Sequence, residues 1–107
     1  MSKKKSYPNF PLGTCLVTNS AFSAFVNHRQ VPAAAFEAHA CLCPSLAMTA
    51  EQHLQRLQAF LARGCPIVTH LQLSARTPFV EVNHLTVVTD AARAATVLML
   101  TCEWSHA

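Results

Sequence analysis

A helix with clear end signals, followed by three β-prone segments, constrains the fold of this chain more than any other feature. Thr49 and Gln52 stand three residues apart, the spacing of a capping box in which each side chain binds the backbone amide of the other residue. Gly64 suits the other end because a left-handed residue there costs least without a Cβ, and Pro66 prevents continuation. These signals predict a helix that begins at Thr49 and stops at Gly64.

The predicted helix is amphipathic. Its apolar residues recur at helical spacing and predict a stripe that is buried against the core: Leu54, Leu57, Phe60 and Leu61. Its polar residues are expected to face water: Gln52, Gln55, Arg56, Gln58 and Arg63.

Strand-forming segments follow the helix. Residues 67–74 alternate between apolar and polar side chains, and residues 79–88 form a second β-prone segment. Residues 90–95 suit either the start of a helix capped by Asp90 or the loop of a hairpin that leads to a third strand over residues 96–101. We favour the hairpin, because two adjacent strands need a third to build a stable sheet.

The N-terminal part predicts one strand and two short helices. Residues 12–18 are β-prone and supply an edge strand, after which Asn19 or Ser20 can cap a helix. Pro32 suits the first turn of another helix over residues 33–39. The expected core-facing residues of these two helices are Phe22, Phe25, Val26, Ala35 and Phe36.

Together these elements predict a single α+β domain over residues 12–107, preceded by a flexible tail over residues 1–11. Two or three helices pack on one face of a three- or four-stranded antiparallel sheet, in the order β-α-α-α-β-β-β. The chain has 107 residues, which is near the common size for one independent core.

The composition favours association with other proteins. Apolar residues make up 51% of the chain and charged residues only 12%, which excludes intrinsic disorder and leaves few charges on the surface. We therefore expect a partner protein or a homodimer to cover an apolar patch. The net charge of +3 comes from Lys3, Lys4 and Lys5, since five arginines balance five acids elsewhere, and a nucleic-acid partner is not favoured.

Neither secretion nor membrane insertion is predicted. The residues after the lysines form no apolar leader, and the longest apolar run, residues 97–100, is far too short to span a bilayer. The cysteine count of five is odd. We expect a cytoplasmic protein with reduced thiols and no membrane contact.

Residues 88–104 carry the most distinctive motif. Residues 88–96 read Val-Thr-Asp-Ala-Ala-Arg-Ala-Ala-Thr, and an apolar run and the pair Glu103-Trp104 follow. This segment resembles the C-terminus of a family of small uncharacterised proteins from plasmids and integrative elements, which typically reads Ile-Thr-Glu-Ala-Asp-Arg, two small residues, Thr and an apolar run ending in Glu-Tyr. The chain departs from that pattern at Ala92, where the family has an acid. The resemblance implies a mobile-element protein and carries over no catalytic residue.

Candidate ligand and catalytic groups are few. His39, Cys41 and Cys43 offer donors that zinc prefers, but their spacing differs from that of structural zinc sites. We therefore predict no metal and no cofactor, and keep a small zinc-binding module as an alternative. His70 and His84 lie on neighbouring predicted strands where they could face each other near Glu81, although half-exposed structural histidines explain them more simply.

No set of residues predicts an enzyme, so the sequence favours a small non-enzymatic mobile-element protein. We expect it to bind a host protein complex, as an inhibitor of host defence of the anti-CRISPR or anti-restriction type. The alternative is a nucleic-acid-binding accessory factor that uses the lysine run with three arginines. The predicted partner-binding residues are Asp90, Arg93, Trp104, Arg56 and Arg63. Asp90 and Arg93 also have a purely structural interpretation, in which Asp90 caps the turn and Arg93 pairs with it or with Glu103.

Overall fold

The computed structural model describes residues 9–43, 45, 47–62, 64–73 and 83–104. Within them lie three helices and a four-stranded sheet, which confirms the α+β class and the predicted order of elements. The elements are β1 (Thr14–Val17), α1 (Asn19–Asn27), α2 (Ala33–Ala40), α3 (Ala50–Leu61), β2 (Ile67–Leu73), β3 (Asn83–Thr89), β4 (Ala95–Leu100) and a 3₁₀ turn (Thr101–Glu103).

The sheet is mixed, with the strand order β1-β4-β3-β2. The last three strands form the expected antiparallel meander, in which Val87 lies opposite Thr69 on one side and Leu98 on the other. The expectation of a purely antiparallel sheet is wrong for β1, which runs parallel to β4. Three helices and two strands lie between β1 and β4 in the chain, and a parallel pairing needs a long connection of this kind.

The helix caps agree with the sequence in one helix and differ in another. In α3 the Thr49 amide donates to Gln52 Oε1 at 2.9 Å and the Gln52 amide donates to Thr49 Oγ1 at 3.1 Å, so the predicted capping box is confirmed. In α1 the cap is Thr18, whose hydroxyl accepts from the Ala21 amide, rather than Asn19 or Ser20.

The core lies between the sheet and the inner sides of α1 and α2. Its largest fully buried apolar residues are Phe25, Ile67, Leu85, Val87 and Leu98. Of the side chains expected in the core, Phe25, Ala35 and Phe36 pack there, whereas Phe22 and Val26 are 54% and 57% exposed. The true inner stripe of α1 is Ala21, Ala24 and Phe25.

Helix α3 is inverted relative to its amphipathic pattern. The predicted buried stripe is wrong for three of its four residues, because Leu54, Leu57 and Leu61 are 54%, 45% and 69% exposed. Arg56, predicted to face water, is only 5% exposed. The helix therefore turns Arg56 toward β2 and its three leucines toward solvent.

The ambiguous segment after β3 is a hairpin connection, as favoured. Asp90 Oδ1 accepts a hydrogen bond from the Ala94 amide at 2.7 Å, and Arg93 sits at a positive φ of 58°. The predicted strand residues 79–82, and with them Glu81, lie outside the described residues, as do Arg63 and the lysine run. In the described ranges, no helix has the length and apolar character needed to cross a membrane.

Candidate functional site

A buried chain of polar side chains connects α3, α2 and the sheet. We call it the polar chain, and its members are Arg56, Thr69, His39, Thr89, Thr96 and the backbone carbonyl of Leu12. His39 is fully buried at its centre, with Nδ1 2.7 Å from Thr69 Oγ1 and Nε2 2.7 Å from Thr89 Oγ1.

The directions of the hydrogen bonds between Leu12 and His39 follow from the last member of the polar chain, the Leu12 carbonyl. A carbonyl can only accept, so the Thr96 hydroxyl donates to Leu12 and must itself accept from Thr89. The single hydroxyl proton of Thr89 is then used, so Thr89 accepts from Nε2–H of His39. His39 therefore carries a proton on Nε2.

The other half of the polar chain is consistent with this tautomer. The unprotonated Nδ1 of His39 accepts from the Thr69 hydroxyl, and Thr69 in turn accepts from Nη1 of Arg56 at 3.1 Å. Burial, assisted by the positive charges of Arg56 and Arg93, lowers the pKa of His39 to about 4. A second proton on the ring would face Thr69, which already donates there. The histidine thus holds the sheet and α2 together and does not reach solvent.

Arg56 is the cationic end of the polar chain and is held by uncharged groups. Its Nη2 donates to the carbonyls of Leu42 and Cys43 at 3.0 and 2.9 Å, and lies 3.2 Å from Nδ1 of His53. Burial lowers the pKa of the guanidinium, an effect that Cys43 opposes, but an arginine keeps its proton in proteins. No carboxylate is among its partners in the described part of the chain.

A cleft of about 450 Å³ opens between α3 and β2, beside this guanidinium. Its polar lining consists of Gln52, Gln55, Arg56 and His70. Its apolar lining consists of Met48, Ala59, Pro66, Val68 and the indole of Trp104. Such a mixture of apolar walls and a few convergent polar groups is typical of small-molecule sites.

Trp104 also lines a second depression, which shares Gln52 and His70 with this cleft. Its ring packs edge-on against His70 at 5.2 Å between centroids, and His70 Nδ1 lies 3.0 Å from the Thr86 hydroxyl. His84 lines the second depression, yet the register sets it opposite Gln72 rather than His70, so the two histidines share a face without pairing.

The predicted zinc donors do not converge. Both ring nitrogens of His39 bind threonines, and within the described ranges no three His, Cys, Asp or Glu side chains lie close enough to hold a metal ion. Four of the five cysteines, including Cys43, are exposed. The zinc-binding alternative therefore has no geometric support in these residues.

Asp90 and Arg93 form a local structure at the hairpin. Arg93 Nη1 donates to the backbone carbonyls of Cys65 and Asp90 at 2.6 and 3.0 Å, and its Nη2 donates to that of Ala59 at 3.3 Å. Asp90 does cap the turn, but Arg93 binds its carbonyl rather than its carboxylate. Glu103 instead accepts from the Thr18 hydroxyl at 2.8 Å. The partner-binding roles of Asp90, Arg93, Trp104, Arg56 and Arg63 stay predictions.

The threonines of the polar chain have no sequence motif. The one signal that could have revealed them is their position, since Thr69, Thr89 and Thr96 share the inward face of three strands with the buried apolar residues Ile67, Leu85, Val87 and Leu98. No model of a protein family, no curated protein and no solved structure matches this chain. Its site must therefore be interpreted from its own geometry.

Proposed function

We propose that this protein acts by binding another protein, and that the outer side of α3 is the binding element. Leu54, Leu57 and Leu61 follow the spacing i, i+3 and i+7, which aligns them along one side of the helix. The same spacing forms the contact seam of paired helices. A partner helix or an apolar groove suits such a stripe.

The single observation that supports this proposal is the inversion of α3. A surface helix ordinarily buries its apolar side, but the polar chain holds Arg56 inward and forces the leucines outward. Exposed apolar residues at contact spacing mark interaction surfaces more often than isolated ones do. We propose a host protein complex as the partner, as the resemblance to mobile-element proteins implies, and inhibition of host defence as the result.

Leu57→Glu and Gln58→Glu make a matched test of this proposal. The two residues are neighbours on the exposed side of α3, and both substitutions add one negative charge. We expect the tagged protein to recover one host complex in stoichiometric amount, Leu57→Glu to abolish that recovery, and Gln58→Glu to keep it. Binding should then be reproduced with the purified partner.

Two results would contradict the proposal. Equal recovery of the complex by wild type and Leu57→Glu would show that α3 is not the binding element. A wild-type dimer in light scattering that Leu57→Glu converts to a monomer, with no host complex recovered, would make a second copy of the chain the occupant of the stripe.

No specific observation favours nucleic-acid binding, the alternative function. Arg56 is buried, and Arg93 donates to three backbone carbonyls. Of the three arginines that this alternative needs, the two that the structure describes thus donate their hydrogen bonds to the protein itself.

A further inference from the structure

The cleft between α3 and β2 contains a buried positive charge that no described residue neutralises. Arg56 is 5% exposed, and its partners are the hydroxyl of Thr69, two backbone carbonyls and the imidazole of His53. A buried ion without a counter-ion is costly, so charges inside proteins are normally paired. An anion in the cleft would supply the missing charge.

The donor count of Arg56 leaves room for such a ligand. A guanidinium has five N–H groups in a planar fork. The contacts with described residues use one hydrogen of Nη1 and those of Nη2, so Nε–H and the second hydrogen of Nη1 have no acceptor among those residues. Each of these two groups can donate a charge-assisted hydrogen bond to an oxygen of a carboxylate or phosphate.

His53 bridges Arg56 and the backbone of Ser45 beside the cleft. Because Nδ1 of His53 accepts from the guanidinium, its Nε2 carries the proton and donates to the Ser45 carbonyl at 3.3 Å. The side-chain amides of Gln52 and Gln55, which also line the cleft, are neutral donors that suit an oxyanion.

The apolar walls of the cleft indicate the chemical character of the rest of the ligand. Met48, Val68 and the Trp104 indole line the cleft beside the polar groups, and its volume of about 450 Å³ lies in the usual range for small-molecule sites. Flat apolar groups stack well on such an indole. We propose that the cleft binds a small organic oxyanion, a carboxylate or phosphate group carried on a flat apolar body, with Arg56 as its charge partner.

Trp104 provides a direct signal for this binding, because it is the only tryptophan in the chain. The probes are benzoate, phenyl phosphate and the uncharged isostere benzamide. We expect benzoate or phenyl phosphate to change the Trp104 fluorescence saturably, and benzamide to require about a tenfold higher concentration because it lacks the charge. Tighter binding of phenyl phosphate than of benzoate would assign a phosphate ester, and the reverse order a carboxylate.

Gln55→Glu tests the site without disturbing the polar chain, since Gln55 lines the cleft but makes none of the bonds to Arg56. The added negative charge should weaken benzoate binding about tenfold or more. Gln58→Glu, the same change on the outer side of α3, should leave binding unaltered, and so should Leu57→Glu. The last control separates this site from the protein-binding stripe.

Three results would overturn the inference. They are the absence of a saturable fluorescence change with either anion, equal binding of benzamide and benzoate, and unchanged benzoate binding by a Gln55→Glu variant whose thermal unfolding matches that of the wild type.

Discussion

Gly13 and Gly64 both have a positive φ, but only Gly13 is also closely approached by a neighbouring backbone. Gly13 has a φ of 65°, and a Cβ there would collide with the backbone carbonyl of Ala94, to which the Thr14 amide donates at 3.0 Å. Gly64 has a φ of 88° after α3 but has open space around its missing Cβ. Gly13 is needed for both conformation and contact, whereas Gly64 is needed for conformation alone.

Alanine at the two glycines should therefore have unequal effects. Gly64→Ala should cost roughly 1 kcal/mol of unfolding free energy, the usual penalty for a left-handed non-glycine residue. In Gly13→Ala the new Cβ also collides with the backbone of Ala94, which cannot move away as a flexible side chain could. We therefore expect a larger loss of unfolding free energy, about 2 kcal/mol or more. Urea unfolding of the two variants measures the difference, and equal losses would contradict a close approach between β1 and the hairpin.

At the scale of the element, α3 shows that a correct helix prediction does not determine which side is buried. Its capping box was predictable because it depends on residues within one turn. Its predicted stop at Gly64 is wrong, since the helix ends at Leu61 and Ala62 is already extended. Its orientation depends on Thr69 and the carbonyls of residues 42 and 43, which are remote in sequence and satisfy Arg56. The stripe of leucines consequently faces solvent.

The stability of leucine variants tests this orientation. Leu57 is 45% exposed, so Leu57→Ala should change the unfolding free energy by less than about 0.5 kcal/mol. Leu98 is fully buried in the core, and Leu98→Ala should cost about 2–5 kcal/mol. Chemical denaturation of both variants at low protein concentration provides the comparison. A cost at Leu57 as large as at Leu98 would show that the stripe is buried within the domain.

At the scale of the whole molecule, the polar chain joins elements that are distant in sequence. It runs from α3 through β2, α2, β3 and β4 to the segment before β1. Because each hydroxyl both donates and accepts, the chain is fully satisfied only when all these elements are in place. It therefore makes the arrangement of helices on the sheet specific.

The titration of His39 should make stability depend on pH. Its pKa is about 4 in the folded protein against an ordinary 6.5, so the unfolded chain binds this proton first as the pH falls. The contribution of neutral His39 to the free energy of unfolding is complete above pH 6.5. It is lost as the pH falls from 6.5 to 4, by about 3 kcal/mol in total.

Urea unfolding across that pH range measures the effect, and nitrogen NMR of the histidine rings checks its cause. We expect His39 to remain the Nε2–H tautomer down to about pH 4. A ring that is protonated at pH 6 in the folded protein, or a proton on Nδ1, would contradict the directions assigned to the polar chain.

The sequence alone determined the order of the elements and the start of α3. The capping box of α3, the hairpin at Asp90 and the meander of strands all depend on residues close together in the chain, whose local conformational preferences are strong. Tertiary structure alone decided the parallel pairing of β1, the burial of Arg56 and the outward side of α3. Those features depend on satisfying buried polar groups with partners far away in sequence, and periodicity carries no information about such partners.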